Sequence, residues 1–473
     1  MNYKGILFFL GIYSLFVSFF SFINILYSIY FDFIIDINSY VISLAVSLFF
    51  GIAFSLFGKK YRKNISLSDQ ILLIILSYIF IPFLICIPFL LSVYDFSLLN
   101  SYFESISGFT TTGFSIIQNI DNIDEPLLLW RSSSQWLGGI LFLVATIGTL
   151  GSKQAKIKPT YLIPEVSFGN NFYNNFNYNF IKILVIYFLT TLFVIFLFNL
   201  SKIRLFDSFN LAFTVISSGG FLPSKNLYTI TNSNLQILIL AFTLLFPIFN
   251  FYLLFKIFTR QLKFNDHRED LHLGILIIFL TLIFYFFFIP NEGIFSVFLS
   301  ITSSISTSGI SIYSSNFDIS LFFILLTIIG GSLLSTSSGL KYVRFYILLK
   351  ISYQEIYRLV KPINIFNRNL FNSDVKINEE DSKIAFLIFI SFIIAVFVLS
   401  SILTLDNLSF EHSFKLSILT LTNTATSTLY GMDNFNFFDL NFFTKISLIF
   451  FMIFAKIEII ALLFLIKKFI FRE

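Results

Sequence analysis

Residues 100–113 read NSYFESISGFTTTG and lie between two long apolar runs of the chain. The stretch ends in three hydroxyl side chains and a glycine, a group that we call tip 1 (residues 110–113). Three further short segments between apolar runs end in tip 2 (217–220), tip 3 (306–309) and tip 4 (423–426). Small polar residues and glycine let a backbone turn its carbonyls inward, where four such tips could replace the hydration shell of a cation. The spacing therefore predicts an ion pore.

The composition of the chain indicates a membrane protein. Of its 473 residues, 56% are hydrophobic and 12% are charged, whereas soluble domains carry about 25% charged residues. Its single cysteine, Cys86, lies inside an apolar run, which excludes a disulfide framework. The first apolar run, residues 5–31, is longer than the hydrophobic core of a signal peptide and lacks a small-residue cleavage site, so we expect a retained helix.

Ten apolar runs are long enough to cross roughly 30 Å of hydrocarbon. Loops at one end of these runs are basic, with residues such as Lys59, Arg62 and Lys361, while acids such as Asp95 and Asp121 dominate the other loops. Because cytoplasmic loops are enriched in lysine and arginine, both termini are expected in the cytoplasm. The basic loops account for the net charge of +5, so no nucleic-acid partner is expected. The runs are 5–31, 37–58, 71–94, 127–152, 183–200, 227–255, 273–289, 319–349, 384–405 and 442–466.

The segments that carry the tips are too short to cross the membrane twice as helices, because each holds only about 10 to 20 apolar residues. We expect re-entrant hairpins, each with a half-length helix that aims its negative end at a tip and begins near Asn100, Asp207, Asn291 or Glu411. The expected fold is an all-α membrane protein with ten transmembrane helices: two extra N-terminal helices, then four pseudo-symmetric repeats of helix, pore hairpin and helix around a central pore. The units are residues 1–67 (two-span extension), 68–158 (repeat 1), 159–262 (repeat 2), 263–372 (repeat 3, with a broken gating helix) and 373–473 (repeat 4).

The tips supply the residues that could hold an ion through backbone carbonyls and hydroxyls. No tip contains a carboxylate, which argues against a divalent-selective ring and favours a monovalent, weakly hydrated cation. The alternative is that these small residues only let helices pack closely in lipid. The candidate ion-binding residues are Thr111, Thr112, Gly113, Ser217, Ser218, Gly219, Thr307, Ser308, Gly309, Asn423, Thr424 and Ala425.

The eighth apolar run contains GGSLLSTSSG at residues 330–339, which we call the broken segment. Its helix propensity is poor, and unwound backbone in a membrane needs partners inside the protein. We expect it to unwind just below the tips, where it could occlude the pore; the alternative is a kinked helix that only packs. The candidate gating residues are Gly330, Gly331, Ser335, Thr336, Ser337, Ser338 and Gly339.

Four charged residues in or near the apolar runs have expected roles. Lys456 is too deep to reach the interface easily, so we expect it to face the pore and repel cations, the alternative being a structural pair with a carboxylate. Glu458 lies about 200° around the same helix and is expected to pair with a neighbouring helix. Glu104 is expected to fix tip 1 through backbone hydrogen bonds, with ion binding near the pore mouth as the alternative, and Arg131 to anchor at the interface.

The sequence offers no enzyme site. Its three histidines are scattered, and it contains no metal-ligand cluster, catalytic constellation, Walker loop or dinucleotide motif. We therefore expect no enzymatic activity and no cofactor beyond a transported ion.

Six strings between residues 100 and 460 carry a family resemblance: FESISGFTTTG (103–113), WR (130–131), QWLGG (135–139), GGF (219–221), GLKYVRF (339–345) and AKIE (455–458). They resemble the potassium uptake proteins of the Trk, Ktr and HKT superfamily, most closely the TrkH-type membrane subunit. The resemblance implies a bacterial plasma (inner) membrane protein with K⁺ bound at the filter residues, and a homodimer with one pore per subunit. It also implies a gating loop in the eighth run and cytoplasmic TrkA-like nucleotide-binding regulatory subunits as partners, besides membrane lipids.

Two residues depart from the family pattern. Ala425 stands where glycine is usual, and its methyl group would disfavour a positive φ; Lys456 stands where arginine is frequent and presents its charge less rigidly. The leading hypothesis is K⁺ uptake through the four tips, gated in the eighth run. The alternatives are a Na⁺-permeable or Na⁺-coupled K⁺ transporter of the same superfamily, and a non-conducting membrane scaffold or receptor whose hairpins only pack.

Overall fold

The fold is known from a computed structural model. It describes residues 2–33, 36–62, 65–150, 172–258, 267–288, 293–312, 319–361, 368–372, 376–406, 408–432 and 435–457. Throughout these ranges the secondary structure is helical, and the β pairing consists of one isolated bridge between Asn369 and Lys376. The prediction of an all-α protein is confirmed for this part of the chain.

Six helices of the described ranges are long and apolar enough to cross a membrane by length and composition. Their outward faces stay apolar: Phe49, Phe57 and Phe287, for example, are all more than 60% exposed. A helix that is hydrophobic all round belongs in lipid or in a large core. These helices are α1 (Tyr3–Tyr30), α2 (Ile37–Gly58), α3 (Leu67–Leu90), α6 (Phe172–Leu200), α11 (Arg268–Ile283, continued by a π-helical turn Phe284–Phe288) and α15 (Glu379–Thr404).

Four helices of 12 or 13 residues precede the four tips. At 1.5 Å per residue they reach about 20 Å, less than the thickness of a bilayer core. Their first turns differ slightly from the expected starts, because Ser97 and Ser409, rather than Asn100 and Glu411, cap α4 and α16. The expected start at Asn291 lies outside the described residues. The four are α4 (Leu98–Phe109), α7 (Leu205–Ser217), α12 (Ile294–Ser306) and α16 (Phe410–Leu421).

The remaining helices include two interrupted spans. The run 319–349 unwinds, as predicted, between helix α13 (Ser320–Ile329) and helix α14 (Tyr342–Val360), and the broken segment lies in the gap. The remaining helices are α5 (Glu125–Leu150), α8 (Asn234–Thr243), α9 (Leu245–Ile248), α10 (Phe251–Phe258), α13 (Ser320–Ile329), α14 (Tyr342–Val360) and α17 (Phe442–Lys456).

The expectation of one continuous span over 227–255 is wrong. Pro247 offers no N–H to the carbonyl of Thr243, four residues earlier, where α8 ends. The chain then becomes extended at Phe249, whose ψ is 161°. The freed N–H of Asn250 donates to the Asp270 carboxylate at 3.0 Å, so an acid of α11 stabilises the break.

Two large hydrophobic clusters hold these helices around the tips. The first cluster contains residues of α1, α3, α5, α6, α7 and α8. The second contains residues of every helix from α11 through α17, together with part of α4. The N-terminal pair packs closely because Gly11 and Gly51 leave room for the opposite backbone, and Ser21 and Ser43 share a hydroxyl hydrogen bond of 3.0 Å. The tips and the broken segment lie inside this packing, where their polar residues other than Thr426 are buried.

Candidate ion filter and the broken segment

The four half-length helices end in the same cap. Each is followed by a residue in the left-handed region: Thr111, Ser218, Thr307 and Asn423 have φ of 57°, 59°, 61° and 46°. The next N–H in each tip donates to the carbonyl five residues back. These bonds are Thr112 to Ser107 (2.9 Å), Gly219 to Thr214 (2.8 Å), Ser308 to Ser303 (3.1 Å) and Thr424 to Leu419 (2.9 Å). Such a bond closes the last helical turn and sends the chain away at a fixed angle.

The residue two positions after each left-handed residue lies against its counterparts from the other tips. A Cβ built on Gly113 would lie 2.8 Å from the Ala425 Cβ and 3.0 Å from the Gly220 Cα, and one on Gly309 would lie 3.1 Å from the Ala425 Cβ. One on Gly220 would overlap the Ala425 Cβ and crowd the Ser308 carbonyl. The four tips therefore converge. We call the four equivalent positions the tip ring: Gly113, Gly220, Gly309 and Ala425.

The tip ring differs from the predicted filter in one detail. In tip 2 the equivalent position is Gly220, which sequence reasoning missed, and not Gly219; counting from the left-handed residue rather than from the first glycine would have found it. In tip 4 the φ of Ala425 is not positive, which agrees with the expectation that its methyl group disfavours a positive φ. Gly113 and Gly309 do have positive φ, at 81° and 71°, so the glycine requirement holds in tips 1 and 3.

Several hydroxyl groups of the tips bond to their own tip or to the helix that precedes it. Thr112 shares a hydrogen bond with Thr110 (2.7 Å), and Thr424 shares one with Thr422 (2.9 Å). Ser217 donates to the Phe213 carbonyl at 2.8 Å. These hydrogen bonds stiffen the tips.

A buried ion pair fixes the extended segment that follows tip 1; we call the segment that follows each tip its return strand. Arg131 Nε donates to Glu104 Oε1 at 2.9 Å, and both side chains are at most 2% exposed. The other carboxylate oxygen accepts the backbone N–H of Ile116 at 2.9 Å, and the guanidinium stacks 4.1 Å from the centre of the Phe221 ring in tip 2's return strand. The structural role predicted for Glu104 is confirmed. The prediction that Arg131 anchors at the interface is wrong, because burial beside Glu104 removes it from the surface.

Side-chain amides fix tips 2 and 4, that of Gln135 from α5 and that of Asn423 from tip 4 itself. The Gln135 amide, in the orientation that satisfies its hydrogen bonds, accepts from the N–H of Gly220 at 3.1 Å and donates to Thr214 Oγ1 at 3.1 Å. Asn423 Nδ2 donates to Thr112 Oγ1 at 2.9 Å and to the Met452 carbonyl at 3.1 Å, which ties tip 4 to tip 1 and to α17.

The broken segment lies directly against the tips. Ser218 Oγ and Thr336 Oγ1 are 3.0 Å apart, and the Thr336 hydroxyl also donates to the Ile216 carbonyl at 2.9 Å. In tip 3, Thr307 Oγ1 accepts the backbone N–H of Ser338 at 3.0 Å. Two of the four left-handed residues thus present their side chains to the broken segment.

The break in the sixth run receives the backbone of the broken segment. Ser332 N–H donates to the Ile248 carbonyl at 2.9 Å, and Phe251 N–H donates to the Leu334 carbonyl at 3.0 Å. The N–H of Leu333 donates to Glu269 Oε1 at 3.2 Å. Two helix breaks therefore satisfy one another, which is what irregular backbone at membrane depth requires.

Lys456 joins tip 1 to the broken segment. Its Nζ donates to Thr111 Oγ1 at 2.7 Å and to Ser338 Oγ at 2.9 Å, and the residue is 2% exposed. A second buried ammonium, that of Lys341, donates to the Ser337 carbonyl at 2.6 Å. Both ammonium groups lie over the ring of Phe142, at 4.4 Å for Lys456 and 5.2 Å for Lys341. The partner expected for Glu458 cannot be assessed, because that residue lies outside the described part of the chain.

A cavity of about 430 Å³ adjoins the tip ring where the return strands leave it. Gly113, Gly220 and Thr426 contribute to its wall from three tips, together with Gln118 and Asn436. The described residues therefore form an open chamber with polar and apolar walls on one side of the tip ring, and a closed layer, the broken segment with Lys456, at the tips' left-handed residues.

The chain is similar to proteins that are named as cation or potassium transporters. No protein-family model matches the chain. It is 28% identical over 414 residues, 84% of this chain and 82% of the relative, to a protein of Methanocaldococcus jannaschii named as an uncharacterized cation transporter. It is 25% identical over 442 residues, 88% of each chain, to the Trk system potassium uptake protein TrkH of Escherichia coli K12.

A solved structure shares the fold. The crystal structure of the potassium transporter TrkH from Vibrio parahaemolyticus superposes with a TM-score of 0.84 over 98% of both chains, at 21% sequence identity. The predicted resemblance to TrkH-type subunits is confirmed. The TrkH relatives are transporters, which agrees with the prediction that the chain is not an enzyme. With six spanning helices in its described part and a TrkH-like fold, the chain is a multi-pass membrane protein.

Proposed function

We propose that this chain takes up K⁺ across a membrane through a filter formed by the four tips. The observation that carries the proposal is the tip ring, in which equivalent backbone positions from four hairpins of one chain meet. A ring of backbone carbonyls can replace the hydration shell of an alkali cation. The relatives named as potassium uptake proteins support K⁺ as the ion.

The polar groups of the tips suit a monovalent cation. No carboxylate lies in the tips, and most of their hydroxyls already bond to other protein groups. Carbonyl oxygens therefore do most of the coordination, with little fixed negative charge to hold a divalent ion. The negative ends of the four half-length helices point at the same place and add a diffuse attraction for cations.

The broken segment is the gate of this proposal. It contacts tips 2 and 3 directly and tip 1 through Lys456, so an ion leaving the tip ring meets a closed layer and an ammonium group. Opening requires these hydrogen bonds to break and the segment to move. Uptake then follows the membrane potential, worth about 2.3 kcal/mol per charge per 100 mV.

The wider architecture completes the proposal. The chain crosses a bacterial plasma membrane ten times, with four repeats around the pore, the five units given above and both termini in the cytoplasm. Two copies form a homodimer with one pore each. TrkA-like nucleotide-binding subunits on the cytoplasmic side act on α14, which continues directly from the broken segment; the name of the Trk system, shared by relatives, supports such partners.

A Na⁺-permeable or Na⁺-coupled transporter is the second candidate. It is favoured by Ala425, which gives the tip ring one methyl group among three glycines and so a different wall. Competition between K⁺ and Na⁺ in the uptake assay separates the two candidates.

The test is rubidium-86 uptake into liposomes that contain the purified protein. Gly113→Ala should lower uptake on the order of tenfold or more, because the φ of 81° and the nearby Ala425 Cβ leave no room for a methyl group. Gly274→Ala in α11 is the matched control, since the nearest atom to its new Cβ would be Phe249 Cζ at 3.7 Å. Equal uptake by the two variants would remove tip 1 from the permeation path and favour a packing role for the hairpins.

A further inference from the structure

The side chain of Ala425 is the only Cβ in the tip ring, and its direction is informative. The four ring positions are equivalent by their distance from the left-handed residue of each tip, and the other three are glycines. One carbon atom therefore distinguishes tip 4 from tips 1, 2 and 3. The three glycine tips of the same chain therefore serve as the reference for the effect of the Ala425 methyl group.

The contacts around the tip ring give the order of the tips. Gly113 lies against Gly220, Gly220 against the Ser308 carbonyl, Gly309 against Ala425, and Ala425 against Gly113. Tips 1, 2, 3 and 4 thus follow one another around the axis, and tips 2 and 4 are opposite each other. A Cβ built on Gly220 would nevertheless overlap the Ala425 Cβ. The Ala425 methyl group therefore reaches across the axis towards the opposite tip.

A methyl group in that place has two physical consequences. It takes up space, because carbons that are not bonded to each other prefer separations of about 3.5–4.0 Å. It also has no lone pair, so it cannot replace a water molecule in the shell of a cation. An ion at the tip ring would meet carbonyl-bearing backbone on three sides and an apolar group on the fourth.

Building on the proposed function, we propose that the Ala425 methyl group determines the size of the cation that passes the tip ring and limits the rate of passage. Because its φ is not positive, Ala425 holds this position without backbone strain. The narrowing is thus built into a relaxed conformation. It acts at the ring itself, independently of the broken segment beneath.

The experiment moves the methyl group around the ring. Ala425→Gly should raise rubidium-86 uptake in proteoliposomes about tenfold and make Cs⁺ uptake measurable. Gly220→Ala should abolish uptake, because two methyl groups would then compete for one space. The double variant Gly220→Ala with Ala425→Gly removes the overlap between the two methyl groups and should regain part of the lost uptake, while its remaining methyl group still crowds the Ser308 carbonyl. The φ of Gly220 lies outside the positive region, so alanine there adds no dihedral strain to these contacts.

Ala395→Gly is the matched control, because Ala395 is a buried alanine of α15. It should leave uptake and Cs⁺ exclusion unchanged. Unchanged uptake in Ala425→Gly, with Cs⁺ still excluded, would overturn the proposal about Ala425 while leaving the proposed function standing. Absence of uptake from the wild type and from Ala425→Gly alike, in vesicles where both are folded by their thermal unfolding, would overturn both.

Discussion

At the scale of single residues, the buried pair of Glu104 and Arg131 should be essential to stability. Breaking such a pair by removing one partner costs about 3–5 kcal/mol, because the other charge stays buried without compensation. Arg131→Met should therefore lower the free energy of unfolding by that amount and abolish uptake, since Ile116 and the return strand of tip 1 lose their anchor. Unfolding in detergent can be followed by the fluorescence of Trp130 and Trp136, both of which are buried.

Two further variants make the test of this pair decisive. Adding Glu104→Gln to Arg131→Met removes the uncompensated charge and should restore much of the lost stability. Arg358→Met is the control: Arg358 forms an ion pair of the same 2.9 Å length with Glu355, but both are about half exposed, so its loss should cost less than about 1 kcal/mol. An Arg131→Met protein as stable as Arg358→Met would contradict the anchoring role.

The same pair shows what sequence reasoning can reach at this scale. Glu104 lies in a half-length helix beside a tip, so its neighbours in sequence already suggested a bond to tip backbone. Arg131 follows a tryptophan near the end of an apolar run, which locally indicates an interface. Its true environment depends on Glu104, 27 residues earlier, and on Phe221, 90 residues later. Periodicity and composition carry no record of such pairings.

At the scale of elements, the broken segment should have to leave the tips before ions pass. Ser218 Oγ and Thr336 Oγ1 are 3.0 Å apart, so cysteines at both positions can join tip 2 to the broken segment. In a Cys86→Ser background, which removes the single native cysteine, the pair Ser218→Cys with Thr336→Cys should lose rubidium-86 uptake on oxidation. Reduction with dithiothreitol should restore uptake, because the segment can then move.

The control cross-link joins the return strands on the other side of the tip ring. Ser311 Oγ and Thr428 Oγ1 are 2.7 Å apart, and this hydrogen bond does not involve the broken segment. Cysteines there should oxidise equally well, by mass spectrometry, and leave uptake insensitive to the reductant. If oxidised Ser218→Cys with Thr336→Cys still conducts like its reduced form, the broken segment is not the gate.

The elements also differ in how far the sequence predicted them. The unwinding of residues 330–339 followed from glycine and serine content alone, because such a run forms a poor helix anywhere. The break near Pro247 was missed, since a lone proline in a long apolar run is often only a kink. What turns it into a break is the broken segment and Asp270, which bond to the buried backbone groups of Ile248 and Asn250 that the helix leaves unpaired. Two breaks that stabilise each other can be seen only once both are in place.

At the scale of the whole molecule, the apolar surfaces require lipid on the outside. Large side chains such as Phe57, Ile275 and Phe397 are each about 60% exposed or more on long helices. A belt of apolar surface of this kind would be unstable in water. The half-length helices stay inside that belt. Lipid therefore supports the outer helices, while protein alone surrounds the tips.

The charged loops predict which side of the membrane each surface faces. Lys60 lies in the exposed turn after α2, on the expected cytoplasmic side. Lys225 is also exposed, but its backbone N–H bonds to Asp121 on the expected outer side, where lysine is an exception. In a Cys86→Ser background, a membrane-impermeant maleimide applied to intact spheroplasts should label Lys225→Cys at once and Lys60→Cys only after permeabilisation. Labelling in the opposite order would show that the chain has the opposite orientation in the membrane. The rule that basic loops stay in the cytoplasm would then have failed at both positions.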